Sequence, residues 1–299
     1  MRIELDNSYL VKEKEAFITI NKNGAYEITI SENTNTYLDL RILSECDLTI
    51  NLLENSTVEI LSVDTASNVY QKINVAKNAK INGIIGHFSV GEISNVINLN
   101  DYHATCELKM VSMANMDMKQ MVHASVNHNY SDTKGIVKAY CVTNNNGEII
   151  FDGVNKINKG NARSESSLHI RGMILSDTSM IAANPALLID EYDVKANHGA
   201  TIGKISDEGL YYLMSRGISK TEATMLIVNG FLIPIIENIN NDDSKCLFTL
   251  LFTLRKHCAQ TSLFIGHLEC RKRDLNSPIN SLKSSKTDIF LFTFVYTHI

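Results

Sequence analysis

The sequence predicts a mainly β chain whose helices are gathered after residue 205. Three observations carry this: an apolar, polar, apolar triplet that returns every ten residues near the N-terminus, strand-like alternation that resumes at residue 135, and helix-start signals that first occur at Ser206. With 299 residues, 44% hydrophobic and 20% charged, the chain can bury a sizeable core as one elongated domain or two compact ones.

The triplets are Ile18-Thr19-Ile20, Ile28-Thr29-Ile30, Leu38-Asp39-Leu40, Leu48-Thr49-Ile50 and Val58-Glu59-Ile60. Period-two alternation sends the first and third side chains to one face, and the intervening Asn, Gly, Ser and Glu clusters form turns, so these are short, regularly spaced strands. Such a repeat suits either a sandwich or a β-solenoid that buries its core by stacking coil on coil. From about Val90 to Asn129 the repeat blurs, although Ile97-Asn98-Leu99 keeps the order and Asp101-Tyr102-His103 interrupts it. Alternation resumes over Gly135–Val142, breaks at Asn144-Asn145-Asn146-Gly147, and returns over Glu148–Gly153. Two of the three prolines lie beyond residue 230, so the central strands keep their ladder donors.

Ser206 reads as an N-cap, Asp207 and Glu208 place negative charge at the positive end of a helix, and Gly217 sits where a helix with Leu210, Leu213 and Met214 on one face would stop. Ser219-Lys220-Thr221-Glu222 has capping-box spacing, and Ala223, Leu226, Ile227 and Gly230 form the expected face of a second helix, which Pro234 should kink or end. Residues 241–299 differ: six of the ten Phe fall there, and eight Lys and Arg stand against five Asp and Glu. The expected organisation is a β core over 1–205, a helical domain over 206–240 and a divergent tail over 241–299.

Composition excludes several function classes. A net charge of −5 gives little phosphate-neutralising surface, so nucleic acid is not an expected partner. No apolar run reaches the ~18–20 residues of a membrane span, and the N-terminus lacks the order of a secretory signal, so a cytoplasmic protein is expected. Cys46, Cys106, Cys141, Cys246, Cys258 and Cys270 contain no CxxC pair and read as reduced thiols.

The run Ala196-Asn197-His198-Gly199-Ala200-Thr201-Ile202-Gly203-Lys204-Ile205, followed by Leu210–Ile218 and Glu222-Ala223, resembles the C-terminal signature of the SufB/SufD family of iron–sulfur cluster assembly proteins. The likeness extends upstream through Asp193-Val194-Lys195, Asn184-Pro185-Ala186-Leu187 and Ile174-Leu175-Ser176 to the strands around Glu148–Gly153, covering about 135–237, and fades at Asn238. It implies a right-handed parallel β-helix with a C-terminal helical domain. It also implies a non-enzymatic subunit that works with a SufC-type ABC ATPase and with a SufB-type paralogue or a second copy of itself. In that family the scaffold paralogue carries a Glu after the motif His and an upstream acceptor Cys. Here Gly199 follows His198 and no Cys lies between Ser166 and Asn184, so the resemblance is to the SufD type. A SufB-type scaffold is the second reading.

The resemblance makes His198 the candidate ligand for transient iron or a cluster at a subunit interface, with no tightly bound cofactor, and makes Gly199, Ala200, Thr201 and Gly203 its motif neighbours. Imidazole suits that chemistry because it ligates borderline metals near neutrality. The expected ATPase-docking residues are Tyr211, Tyr212, Arg216, Gly217, Glu222 and Phe231. From its local sequence, His198 is expected between a strand, Asp193-Val194-Lys195, and a turn at Gly199-Ala200. The thiols Cys246, Cys258 and Cys270, with His257 and His267, match no metal-ligand spacing, and His103, His123 and His128 read as structural. A third reading, a carbohydrate-active β-helix, would use a carboxylate cluster such as Asp190, Glu191 and Asp193. The pair Gly83-Ile84-Ile85-Gly86 is followed by His87 and forms no phosphate-binding loop.

Overall fold

The computed structural model describes residues 2–236. Its strands are β1 (Ile3–Glu4), β2 (Ser8–Val11), β3 (Glu15–Ile20), β4 (Gly24–Ile30), β5 (Asn35–Ile42), β6 (Cys46–Leu52), β7 (Thr57–Asp64), β8 (Val69–Val75) and β9 (Lys80–His87). They continue as β10 (Gly91–Leu99), β11 (Thr105–Asn115), β12 (Lys119–His128), β13 (Lys134–Asn144), β14 (Glu148–Ile157), β15 (Glu165–Ile174), β16 (Met180–Ile189) and β17 (Lys195–Lys204). Two helices follow, α1 (Asp207–Ser215) and α2 (Lys220–Ile236).

Odd-numbered strands form a nine-stranded sheet and even-numbered strands an eight-stranded one. Every strand pairing among the described residues is parallel. Each coil contributes one strand to each sheet, so the chain is a parallel β-helix, and the sandwich that the repeat also allowed is not formed. The ten-residue triplets are successive half-coils. They fill the interior with aliphatic columns: Ile28, Ile50, Ile73, Ile97 and Val126 stack in register, none more than 1% exposed. Burying each such side chain contributes about 1.5–3 kcal/mol.

Residues 91–128, where the repeat blurred, hold the regular strands β10, β11 and β12. The blurring comes from growth of the coil. Glu15 stacks on Tyr37, 22 positions on, whereas Thr105 stacks on Lys134, 29 on, and Lys134 on Glu165, 31 on. A fixed period cannot survive that change, but period-two alternation within each strand does. Asparagine holds the outside and the corners together. Asn74, Asn98 and Asn127 each donate their amide to the Asn one coil back at 2.8–3.0 Å, and Asn33, Asn55 and Asn78 repeat a left-handed corner at φ 54–58°.

The helices follow their caps. Ser206 Oγ accepts from Gly209 N at 3.1 Å, Ser219 and Glu222 form the reciprocal capping box, and Gly217 at φ 87° stops α1. The face of α2 differs from expectation: Leu226 is 47% exposed, while Ala223, Val228, Leu232 and Ile235 are buried. Val228, Leu232 and Ile235 cover an apolar patch of Leu61, Val63, Ile84, Val111, Met113 and Val142 on the outer face of the nine-stranded sheet. The stripe is selected by that sheet. Pro234 lies inside α2, which runs to Ile236, so it does not end the helix at the preceding residue. Residues 241–299, with the thiols and histidines noted there, lie outside the described residues.

Candidate functional site

The motif lies on β17, the last strand of the nine-stranded sheet. His198 pairs in register with Leu168 and Gly199 with His169, all within extended strands, so the turn expected at Gly199-Ala200 is not formed. Gly199 has no positive φ; Ala200, Thr201 and Gly203 continue the ladder opposite Ile170, Arg171 and Met173. The local sequence misled because glycines stand in for side chains within a strand, a use indistinguishable from a turn without the partner strand.

The pairing fixes the direction of His198. Leu168 is an inward-facing core residue, 1% exposed, so His198 continues the interior face of the coil. No further coil stacks on β17 among the described residues, and His198 is exposed. The imidazole therefore stands at an open end of the solenoid. The companion strand β16 ends the other sheet and exposes Met180 and Leu188, at 45% and 55%, while β17 exposes Ile202 at 38%. Ladder groups and apolar side chains together make this end an adhesive edge.

The expected docking residues separate into two groups. Tyr211 and Tyr212 are 76% and 58% exposed, and Arg216 lies over the Tyr212 ring at 5.2 Å. Gly217 stops α1, Glu222 is held in the α2 cap, and Phe231 packs edge-on against Tyr140 at 5.5 Å. Exposed Leu226 and Ile233, 47% and 45%, were not among the expected residues. Only the orientation of α2 could reveal them.

The described cysteines are sealed in. Cys46, Cys106 and Cys141 are free and buried; burial pushes the thiols of Cys46 and Cys141 up to about 12 and raises that of Cys106 further. They are thiols rather than thiolates and poor nucleophiles. In the acidic group at 190–193, Glu191 accepts from the backbone of Gly160 at 2.8 Å and of Tyr192 at 2.9 Å, bonds that hold its carboxyl below the usual range. It ties two corners together. His103 sits at a left-handed corner, His123 lies 3.5 Å from Glu92 and 3.6 Å from Asp152, and His128 is buried. Among the described residues no group of three or more His, Cys, Asp or Glu is placed to hold a metal ion.

The family model described as "SUF system FeS cluster assembly, SufBD core domain" matches residues 11–231. The chain belongs to the SufBD family. One of the relatives it matches bears the SufD name. The chain is 27% identical over 262 residues to the iron–sulfur cluster assembly protein SufD of Bacillus subtilis, covering 75% of this chain and 60% of that protein. It is 32% identical over 137 residues to a SufBD family protein of Mycobacterium tuberculosis, covering 46% of this chain and 16% of that protein. A SufBD family protein of Staphylococcus epidermidis is 28% identical over 129 residues, covering 43% and 28%. The chain thus spans 60% or less of each of these relatives. Among the described residues no helix is long and apolar enough to cross a membrane.

Proposed function

We propose that this SufBD protein is a non-catalytic, cytoplasmic SufD-type subunit of an iron–sulfur assembly complex. In this reading it joins a SufB-type paralogue, or a second copy of itself, through the open end formed by β16 and β17. A SufC-type ATPase docks on α1 and α2, where Tyr211, Tyr212, Arg216 and Leu226 offer an aromatic and aliphatic surface. His198 supplies a neutral imidazole to iron or a nascent cluster, which is cargo and not a resident cofactor.

The observation that carries the reading is the direction of His198: an interior position on a terminal coil, exposed where a joining subunit would extend the sheet. Among the described residues every thiol, those of Cys46, Cys106 and Cys141, is buried, which favours the SufD type over the scaffold type there, since an acceptor Cys must reach its donor. The structural use of Glu191 weakens the carbohydrate-active alternative. The test is to mix the full chain with the SufC-type ATPase and SufB-type paralogue of its host and measure mass by light scattering. A stable complex containing this chain is expected; a chain that stays monomeric in the mixture overturns the reading.

A further inference from the structure

A groove of about 340 Å³ lies on the outer face of the last three strands of the nine-stranded sheet, lined by Lys138, Tyr140, His169, Arg171, Gly199 and Thr201 among others. Register places these in two rows. Lys138, His169 and Gly199 stand side by side across β13, β15 and β17, and Tyr140, Arg171 and Thr201 form the next outward row. Adjacent strands are ~4.8 Å apart and outward rows ~6.6 Å apart, so the side chains project from one small patch.

The charge in this patch is one-sided. No carboxylate lines the groove, and neither Lys138 nor Arg171 has a salt bridge among the described residues. Glu107, whose carboxylate feels Lys138, is taken by Lys134 at 2.8 Å. Lys109, beside Lys138 in register, donates to Pro234 O at 2.7 Å, and its ammonium is held below its usual range by burial and then by repulsion from Lys138. Arg171 is positioned by rings instead of acids: its guanidinium lies 5.8 Å from the Tyr140 centroid and 5.3 Å from that of Phe231. A chain of net charge −5 thus keeps an arginine, a lysine and a histidine around one cavity that, among the described residues, no carboxylate lines.

Gly199 keeps the cavity open. A Cβ there would lie 3.4 Å from His169 Nδ1, and any longer side chain would project over the row.

We propose that this groove binds a small phosphate-bearing molecule, with Arg171 and Lys138 as the charged ligands and His169 and Thr201 as further hydrogen-bonding groups. A planar fork, a point charge, an imidazole and a hydroxyl offer more donors than one carboxylate accepts, and they suit a tetrahedral oxyanion. The volume exceeds that of one phosphate group and falls within the range of small-molecule sites. This inference does not rest on the proposed role of His198, which faces the solenoid interior on the opposite side of β17.

The probe is inorganic pyrophosphate, titrated calorimetrically into the full chain at fixed ionic strength, against a chloride control. Saturable binding at one site is expected. Lys138→Gln, at an exposed position, should weaken it about tenfold, the loss of one charge-assisted contact. Gly199→Glu, which places a carboxylate beside His169, should abolish it while circular dichroism stays unchanged. If the wild-type chain binds no pyrophosphate beyond the chloride control, or if Lys138→Gln binds as tightly as wild type, the proposal is overturned. Should Gly199→Glu fail to fold, Lys138→Gln still decides.

Discussion

His87 Nδ1 lies 2.7 Å from Asp64 Oδ2, one coil apart in register, with both side chains wholly buried. Asn95 Nδ2 approaches His87 Nε2 at 3.1 Å, and Gln71 Nε2 donates to Asp64 at 3.4 Å. These four side chains form a connected polar set in the solenoid interior, where an unpartnered polar group is costly.

Breaking this set from one side should be costly. His87→Leu leaves the Asp64 carboxyl without its nearest partner and should lower the unfolding free energy by about 3–5 kcal/mol in urea titrations. Replacing both residues with Leu should restore much of the loss. A single variant within about 1 kcal/mol of wild type, the usual range of an exposed pair, would contradict the buried-pair account.

His128 occupies an aliphatic column, in register between Leu99 and Ile157, with its ring nitrogens 2.8 Å from Thr133 Oγ1 and 3.1 Å from Ser166 Oγ. Burial lowers its pKa from 6.5 to about 4. Because the folded value is the lower one, the unfolded chain takes up the proton first as pH falls. The stability held in the neutral ring is therefore complete above pH 6.5, drains away between pH 6.5 and pH 4, and levels off below. Its size is about 3 kcal/mol. Unfolding titrations across that window should show a slope in the wild type that is shallower in His128→Gln; equal slopes would refute the assignment.

How much of this was legible in the sequence follows from what each pattern depends on. The triplets at residues 18–60 reveal strands because alternation is local, and Ser206, Gly217 and Ser219-Glu222 reveal helix ends because caps are local too. Which way the strands pair is not local: Ile28 finds Ile50 and not Leu38, and only the family resemblance supplied the solenoid. His198 was legible as a motif residue, but its direction depends on Leu168, thirty residues away. The groove was not legible, since Lys138, Arg171 and Gly199 meet only through coil stacking.

Thiol chemistry offers a third test. With Cys46, Cys106 and Cys141 buried and their thiols held protonated, iodoacetamide at pH 8 should leave these three unlabelled in the native chain and label them rapidly in denaturant. Peptide mapping by mass spectrometry reads each site separately. Labelling of any of the three in the native chain at the denatured rate would reopen the scaffold-type reading.

The last test concerns His198. Its side chain continues the interior row over Leu168 but is exposed, so truncation removes no buried contact from the coil beneath. His198→Ala should therefore change the unfolding free energy by no more than about 0.5 kcal/mol, as surface substitutions do. If the imidazole ligates the cargo, the same variant should still join its partner subunits while cluster formation on the reconstituted complex, followed by visible absorption and iron content, drops about tenfold or more. His198→Cys, which restores a soft ligand at the same place, should recover part of the loss. Unaltered cluster formation in His198→Ala would remove the residue from the chemistry, and failure of the variant to join its partners would make it a packing residue of the interface instead.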